Sequence, residues 1–155
     1  MATFPIFFSV NLVASLLNHI DDTDEPYGYW EPLHYLVHGH GMQTWEYAPQ
    51  NAIRSYSFLL PFYIFLSVIK PIVTHKIVQF YLVRLLLALF TSFAQSRFIS
   101  TLSAHRTLFP PMVSKITTVF ILGSPGVLLS GTSLLPSALC SSLLLLGVCS
   151  WIDGG

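Results

Sequence analysis

Long uncharged stretches limit what this chain can fold into more than any single motif does. Residues 2–18 and 136–152 contain no charged side chain. Only 9% of the 155 residues are charged, whereas a soluble domain has about 25%. A surface so poor in charge cannot face water on all sides, and the sequence therefore predicts a membrane protein.

Five stretches are candidate membrane spans, and most are close to the length of about 20 residues that a crossing helix needs. The first lacks the basic residues and cleavage site of a signal peptide, which favours a retained span. The fourth is interrupted by Gly123, Pro125 and Gly126, so the last two could instead form one broken or re-entrant pair. The five stretches cover residues 2–20, 55–73, 77–97, 116–131 and 136–152.

The acidic residues are concentrated just after the first span. Because each Asp costs about 2.5–3.5 kcal/mol at the centre of a membrane helix, the cluster predicts an aqueous loop over residues 21–54. Within it, "EPLHYLVHG" predicts a short interfacial helix, with Pro32 in its first turn and Gly39 at its end. Five of the seven acids lie in "HIDDTDEPYGYWEP": Asp21, Asp22, Asp24, Glu25 and Glu31.

Basic residues indicate which side of the membrane the loop faces. The loop has no Lys or Arg before Arg54, whereas the turn after the second span contains Lys70 and Lys76. The positive-inside rule then predicts that the turn is cytoplasmic and that the loop lies on the opposite side. Basic residues after the third span indicate the reverse, but the contrast around the first loop is sharper.

Two local patterns in the loop suggest metal binding. Asp22 and Asp24 form a DxD triplet, but the chain lacks the glycine-rich phosphate loop of a nucleotide-binding domain. His34 and His38 have the spacing of metal ligands on a helix, without the glutamate of an HExxH motif. The acids could also serve only to keep the loop in water and to cap the next helix. Spacing alone leaves these alternatives open.

The stretch "DDTDEPYGYWEPLHYLVHGHGMQTWEYAPQNAIRSYSFLLPFY" resembles the first lumenal loop of the membrane mannosyltransferases of glycosyltransferase family 22. The similarity is greatest to members that extend the dolichol-linked oligosaccharide through α-1,2 linkages. This chain departs from their pattern at Pro26, Tyr27, Gly28 and Ala48, and no departure removes a carboxylate. The matching residues are Asp22, Asp24, Glu25 and Tyr29–Pro32, then Gln43–Tyr47 and Pro49, then Ile53–Tyr56.

The resemblance implies an all-α membrane protein, a polytopic helix bundle of the GT-C type in the endoplasmic reticulum membrane, with the loop on the lumenal side. Its implied donor is dolichyl phosphate mannose, and its acceptor is a dolichyl-diphosphate oligosaccharide. No cofactor, metal or nucleic acid is expected. The β-linked donor and α-linked product require inversion, so a carboxylate must act as general base. We assign that role to Asp24, with Glu25 orienting the acceptor and Asp22 in support.

The resemblance also assigns substrate binding to a set of polar and aromatic side chains. Of these, Arg84 lies about 10 Å into the third span at about 1.5 Å per residue. It could be a buried arginine paired with a later helix or with carbonyl groups, or a contact to the donor phosphate. The set is Tyr29, Trp30, Glu31, His34, Trp45, Glu46, Arg54 and Arg84.

Members of this family are several times longer than this chain. We therefore expect residues 1–155 to be the N-terminal part of a single polytopic domain, truncated after "CSWIDGG" and inactive alone. Asn11, Asn18 and Arg84 are polar groups within apolar spans, and the missing helices would supply some of their partners. The alternatives are a mannosyltransferase of the glycosylphosphatidylinositol anchor, which shares the T-W-E block, and a non-catalytic membrane protein. Residues 29–32 favour the first assignment.

Overall fold

The computed structural model describes residues 3–20 and 22–154, and within these ranges every regular element is a helix. Two positions of the predictions, Ala2 of the first span and Asp21 of the acidic cluster, lie outside the described residues. The all-α expectation is confirmed. The α-helices are α1 (Phe4–Leu17), α2 (Glu31–His38), α3 (Leu60–Ile69), α4 (Lys76–Ala104), α5 (Pro111–Gly123), α6 (Pro125–Thr132) and α7 (Pro136–Gly154).

Among the described residues, only α4 and α7 are individually long and apolar enough to cross a membrane. Helices α5 and α6 together would make a third crossing, bent by 69°. Helix α1 has 14 residues, or about 21 Å of length against a hydrocarbon core of about 30 Å. The expected five crossings are therefore not confirmed, whereas a helical membrane protein is compatible with this structure.

The predicted interruption of the fourth span is confirmed. Ser124 separates α5 from α6 and has an extended backbone, with φ −96° and ψ 106°. A residue that precedes proline is disfavoured in the helical conformation, so Pro125 accounts for the break and also begins α6. Helix α7 begins at Pro136, as the sequence predicts.

The chain divides into two compact units. The helical unit consists of Met1–Asn18, Arg84–Ser133 and Ser137–Gly155, and the loop unit consists of His19–Val83 with Leu134–Pro136. An apolar cluster of the helical unit is built on Phe7, Ile99 and Leu102. Polar contacts add to it, because Asn11 Nδ2 donates to Ser92 Oγ and Gln95 Oε1, both at 2.9 Å.

The polar groups of the helical unit find many of their partners within this chain. Arg84 Nη1 donates to the carbonyl of Asn18 at 2.7 Å, and Asn18 Nδ2 donates to Thr132 Oγ1 at 3.1 Å. Asn18 caps the C-terminus of α1, where carbonyl groups lack helical partners. These atoms of Asn18 and Arg84 therefore have partners within the chain, whereas we expected the missing helices to supply some of the partners of such groups. Asn11 Oδ1, in contrast, is buried without a hydrogen-bond partner.

In the loop unit, α2 matches the predicted interfacial helix. Its proline lies in the first turn, and Gly39 follows the helix with φ 76°, a conformation that glycine adopts without steric cost. Leu33 and Val37 are buried, and Leu36 between them is partly buried. Pro32 and Gly39, at the two ends of this helix, were sufficient to predict its bounds.

The second predicted span, residues 55–73, differs from the prediction. It forms a 3-10 helix at Tyr56–Leu59 followed by α3, whose 10 residues cover only about 15 Å. Lys70, just beyond α3, donates from Nζ to the carbonyl of Val37 in α2 at 2.8 Å. The prediction that this turn lies across the membrane from the loop is wrong, because the segment is too short and its end is bound to the loop.

Candidate active site

Residues Asp24–Trp30 form a π-helical turn directly before α2. Pro26 lies in the first turn, where a backbone N–H would have no partner within the helix. The N–H of Glu31 donates to the carbonyl of Pro26, a five-residue step that widens the turn. Such turns are rare and often occur at functional sites. This turn places Asp24 and Glu25 at its first two positions.

Asp24 is the exposed carboxylate of this turn, with 52% of its side chain accessible. Its Oδ2 accepts from Arg54 Nη2 at 2.9 Å. The same guanidinium contacts Glu46 Oε2 through Nε at 2.8 Å. Arg54 is therefore held by two carboxylates that are distant in sequence, and it is itself mostly buried.

Tyr29 and Gly28 approach the Arg54 guanidinium closely, and Tyr47 binds the backbone of Gly28. The Cζ of Arg54 lies 4.9 Å from the centre of the Tyr29 ring, a cation–π contact. A Cβ atom on Gly28 would overlap Nη1 and would lie 3.2 Å from Cζ. Tyr47 donates from its hydroxyl to the carbonyl of Gly28 at 2.8 Å, which fixes that backbone. Nη1 is buried and has no hydrogen-bond partner.

Burial and charge shift the pKa values of this cluster. Burial lowers the pKa of Arg54, but the hydrogen bond to Asp24 and the nearby negative charges outweigh it, and the net pKa is raised. Burial raises the pKa of Tyr47 to about 12 and also raises that of Tyr29, the latter partly offset by Arg54. Both phenols are therefore neutral at physiological pH, and Arg54 is fully charged.

Local backbone contacts explain why Glu46 and Arg54 are adjacent. The carbonyl of Glu46 accepts from the N–H groups of Ile53 and Arg54, at 3.0 and 3.2 Å. Ala52 turns the chain between them with φ 44°, in the left-handed region that costs a non-glycine residue about 1 kcal/mol or more. The turn therefore brings Glu46 beside Arg54, where its carboxylate can bind the guanidinium.

The other two predicted carboxylates have different environments. Glu25 is only 2% exposed, and its Oε1 accepts from the N–H of Leu134 at 2.8 Å. Asp22 is exposed, and its Oδ1 accepts from the N–H of Asp24 at 2.9 Å. Of the three, Asp24 alone combines solvent exposure with a cationic partner, whereas Asp22 contacts the backbone of the turn.

The other predicted binding residues near α2 have different surroundings within the loop unit. The Trp30 ring meets Phe80 edge-on, with centroids 5.1 Å apart. Glu31 Oε2 accepts from the N–H of Met42 at 3.4 Å. Trp45 is 65% exposed and makes no close ring contact in the part of the chain that the structure describes. Only Tyr29 and Glu46 of the predicted binding residues touch Arg54.

His34 is buried, and both of its ring nitrogens lack a hydrogen-bond partner. Burial, followed by the charge of Lys76 and the proximity of His38, lowers its pKa. The His34 and His38 rings lie 4.6 Å apart, but His38 Nε2 is hydrogen-bonded to Gln79. Among residues 3–20 and 22–154, no three His, Cys, Asp or Glu side chains are arranged to hold a metal.

Arg84 belongs to the helical unit, where it is 1% exposed. Its contact to the carbonyl of Asn18 supports the alternative in which a buried arginine is paired with carbonyl groups. Two residues of the site, Gly28 and Tyr47, were not predicted as functional. Tyr47 belongs to the matched motif, and Gly28 is one of the departures from it. The sequence therefore drew attention to both positions but did not indicate their contacts.

The chain belongs to the Alg9-like mannosyltransferase family, whose sequence profile matches residues 2–154. This confirms the resemblance to glycosyltransferase family 22. The chain is 37% identical to the human alpha-1,2-mannosyltransferase ALG9 over 152 residues, which are 96% of this chain and 24% of that protein. It is 36% identical to the Schizosaccharomyces pombe alpha-1,2-mannosyltransferase alg9 over 151 residues, 94% of this chain and 25% of that protein.

A third relative is the Saccharomyces cerevisiae alpha-1,2-mannosyltransferase ALG9, 38% identical over 130 residues, which are 80% of this chain and 22% of that protein. The chain thus spans about a quarter of the length of the curated relatives it matches. No solved structure matches it.

Proposed function

We propose that this chain supplies the catalytic carboxylate of an α-1,2-mannosyltransferase of the endoplasmic reticulum. The enzyme would transfer mannose from dolichyl phosphate mannose to a dolichyl-diphosphate oligosaccharide. The names of the relatives support the reaction class. The observation that carries the proposal is Asp24, an exposed carboxylate held by a mostly buried arginine in the loop that resembles the family's first lumenal loop.

The proposed reaction is a single displacement with inversion. The acceptor hydroxyl attacks the anomeric carbon of the β-linked donor, and Asp24 takes the hydroxyl proton as general base. The bond from the anomeric carbon to the phosphate oxygen breaks, and the dolichyl phosphate leaves with the electron pair. Because this phosphate is already a weak base, no general acid is needed to protonate it.

The structure supports a revised role for Glu25. Its carboxylate is buried against the N–H of Leu134, which favours a role in holding the turn over contact with the acceptor. Asp22 shapes the turn by binding the N–H of Asp24. The exposed ring of Trp45 offers an apolar face to a sugar or lipid, while Arg54 and Glu46 act on Asp24 itself.

For the topology, we propose that α4 and α7 cross the membrane and that α5 and α6 form one bent span or a re-entrant pair. We place the loop unit in the lumen on the basis of the family resemblance alone, because Lys70 no longer supports an orientation. The alternative of a glycosylphosphatidylinositol-anchor enzyme is not favoured, since the relatives are α-1,2-mannosyltransferases by name.

A chimera tests the proposal. Residues of this chain replace the matching segment of the Saccharomyces cerevisiae relative, and the chimera is expressed in yeast that lack that protein. We expect mannose addition to lipid-linked oligosaccharides to be restored. Asp24→Asn should lower transfer by at least about 100-fold at equal protein level, because the amide cannot accept the proton. Asp153→Asn, an exposed acid of the helical unit, is the matched control.

Near-normal transfer by Asp24→Asn would show that Asp24 is not the base. A chimera that reaches the membrane in normal amount but transfers no mannose would favour the non-catalytic alternative for this segment.

A further inference from the structure

We propose that Arg54 is a positioning residue for the transfer reaction and that Gly28 provides the space that Arg54 requires. Together they would hold the Asp24 carboxylate by one oxygen and leave the other oxygen to take the acceptor proton. This inference rests on the proposed function, in which Asp24 is the general base.

The two ion pairs of Arg54 fix the orientation of its guanidinium. A guanidinium bound at one N–H can rotate about that bond, whereas one bound at two separate nitrogens has a fixed plane. Arg54 contacts Asp24 through Nη2 at 2.9 Å and Glu46 through Nε at 2.8 Å. Since Nη2 contacts Oδ2 of Asp24, Oδ1 is the oxygen available for a proton. Glu46 thus fixes the arginine, and the arginine fixes the base.

The second step concerns charge. Arg54 is a cation in direct contact with the Asp24 carboxylate, through Nη2 and Oδ2. Hydrogen bonds between ionised groups are shorter and stronger than those between neutral groups. Loss of the guanidinium would therefore remove a strong, directional contact to the base.

The third step is the space at Gly28. A Cβ at this position would overlap Arg54 Nη1 and would lie 3.3 Å from Asp24 Oδ1. The need for glycine is close approach and not an unusual backbone angle, because the φ of Gly28 is not among the positive values. Any larger residue would have to displace the guanidinium. The carbonyl of Gly28 is bound by Tyr47, so the backbone cannot simply move aside.

The fourth step is the position of Nη1. This nitrogen is buried and has no hydrogen-bond partner, and a buried charged donor without an acceptor is unfavourable for folding. This nitrogen therefore offsets part of the stabilisation that the two ion pairs of Arg54 provide.

The test uses the purified chimera described above and three variants: Arg54→Gln, Arg54→Lys and Gly28→Ala. We expect Arg54→Gln to lower kcat by about 10- to 100-fold, because a small displacement of the base has an effect of that order. The KM for the acceptor should change by less than about twofold, because Arg54 acts on the base and not on the substrate. Arg54→Lys should recover only part of kcat, because an ammonium group cannot bind two carboxylates with the geometry of a guanidinium.

Gly28→Ala should reproduce Arg54→Gln, and the double variant should be no worse than either single variant. The matched controls are Gly147→Ala, where a Cβ meets nothing within 4 Å, and Arg106→Gln, which is exposed. The kcat is calculated per folded molecule, so reduced yield does not affect this readout.

An unchanged kcat in Arg54→Gln, together with an inactive Asp24→Asn, would overturn this inference and leave the proposed function intact. A loss confined to KM would also overturn it, because it would indicate a contact to the substrate. Full activity in Gly28→Ala would remove Gly28 from the inference. Full activity in Asp24→Asn would instead overturn the proposed function.

Discussion

The loop unit and the helical unit use polar side chains in different ways. In the loop unit, Arg54 joins two carboxylates near the surface. In the helical unit, Asn11 contacts Ser92 and Gln95 through neutral hydrogen bonds. Neutral hydrogen bonds satisfy polar groups in an apolar interior at far lower cost than ions do. We therefore expect changes to loop-unit charges to alter turnover, and changes to buried polar groups of the helical unit to alter the amount of folded protein.

Arg84 differs from the neutral buried groups of the helical unit because it is charged. Its removal should have the largest effect on folding. Arg84→Met keeps much of the side-chain volume but removes the hydrogen bond to the carbonyl of Asn18. Hydrogen bonds to charged groups contribute about 1.5–3 kcal/mol, so we expect a loss of that order in the free energy of unfolding. Thermal unfolding of the purified chimera in detergent measures it.

The comparison also requires that turnover per folded molecule stay near the original value in Arg84→Met. Arg106→Met, at an exposed position, is the control for loss of a positive charge. A variant that folds in normal amount but loses turnover would place Arg84 with the substrate, as a contact to the donor phosphate.

Glu25 is the converse case, because it is a carboxylate of the loop unit that is buried and bound to a backbone N–H. Glu25→Ala leaves the N–H of Leu134 without this acceptor. An unsatisfied buried donor costs about 1–3 kcal/mol, so unfolding should become easier by about that amount. Measurement of the melting temperature against Asp22→Ala, which alters an exposed neighbour, would reveal it. Equal melting temperatures for the two variants would contradict the buried role.

His34 gives the smallest expected effect, and it depends on pH. Its folded pKa is lowered from the ordinary value of 6.5, so below about pH 6.5 the unfolded chain binds a proton that the folded chain does not. Stability should therefore fall as the pH drops below 6.5 and be unaffected above it. Between pH 6.5 and 5.5 the loss cannot exceed about 1.4 kcal/mol.

The check is thermal unfolding at pH 7.5 and pH 5.5 for the original chain, for His34→Leu and for His75→Gln. We expect His34→Leu to lose less stability on acidification than the unsubstituted chain does. His75→Gln, at an exposed position, should lose as much stability as the unsubstituted chain. The same acid sensitivity in all three proteins would contradict a buried neutral His34.

Local signals predicted the local elements of this fold. Pro32 and Gly39 define α2, Pro125 separates α5 from α6, and Pro136 begins α7 because these residues restrict the backbone regardless of their surroundings. Hydropathy could not distinguish α3 from a membrane span, because an apolar helix that is too short to cross has the same composition. The contact of Lys70, at its end, with the carbonyl of Val37 also has no signal in hydropathy.

The site divides in the same way. The importance of the carboxylates could be predicted from a family motif, but not their separate environments. Whether Glu25 is buried depends on Leu134, 109 residues away. Similarly, Arg54 is 30 residues from Asp24, and its fit depends on the absence of a side chain at Gly28. Such contacts arise only when distant segments fold together, so no pattern of spacing contains them.

The most direct test of this account compares two adjacent carboxylates, Asp24 and Glu25, in the purified chimera. The measurement is the rate of mannose transfer per folded molecule for Asp24→Asn and Glu25→Gln, with folded protein quantified in the same samples. We expect a loss of at least about 100-fold for Asp24→Asn and a rate close to the original for Glu25→Gln. A large loss of turnover in Glu25→Gln with Asp24→Asn nearly unaffected would contradict it.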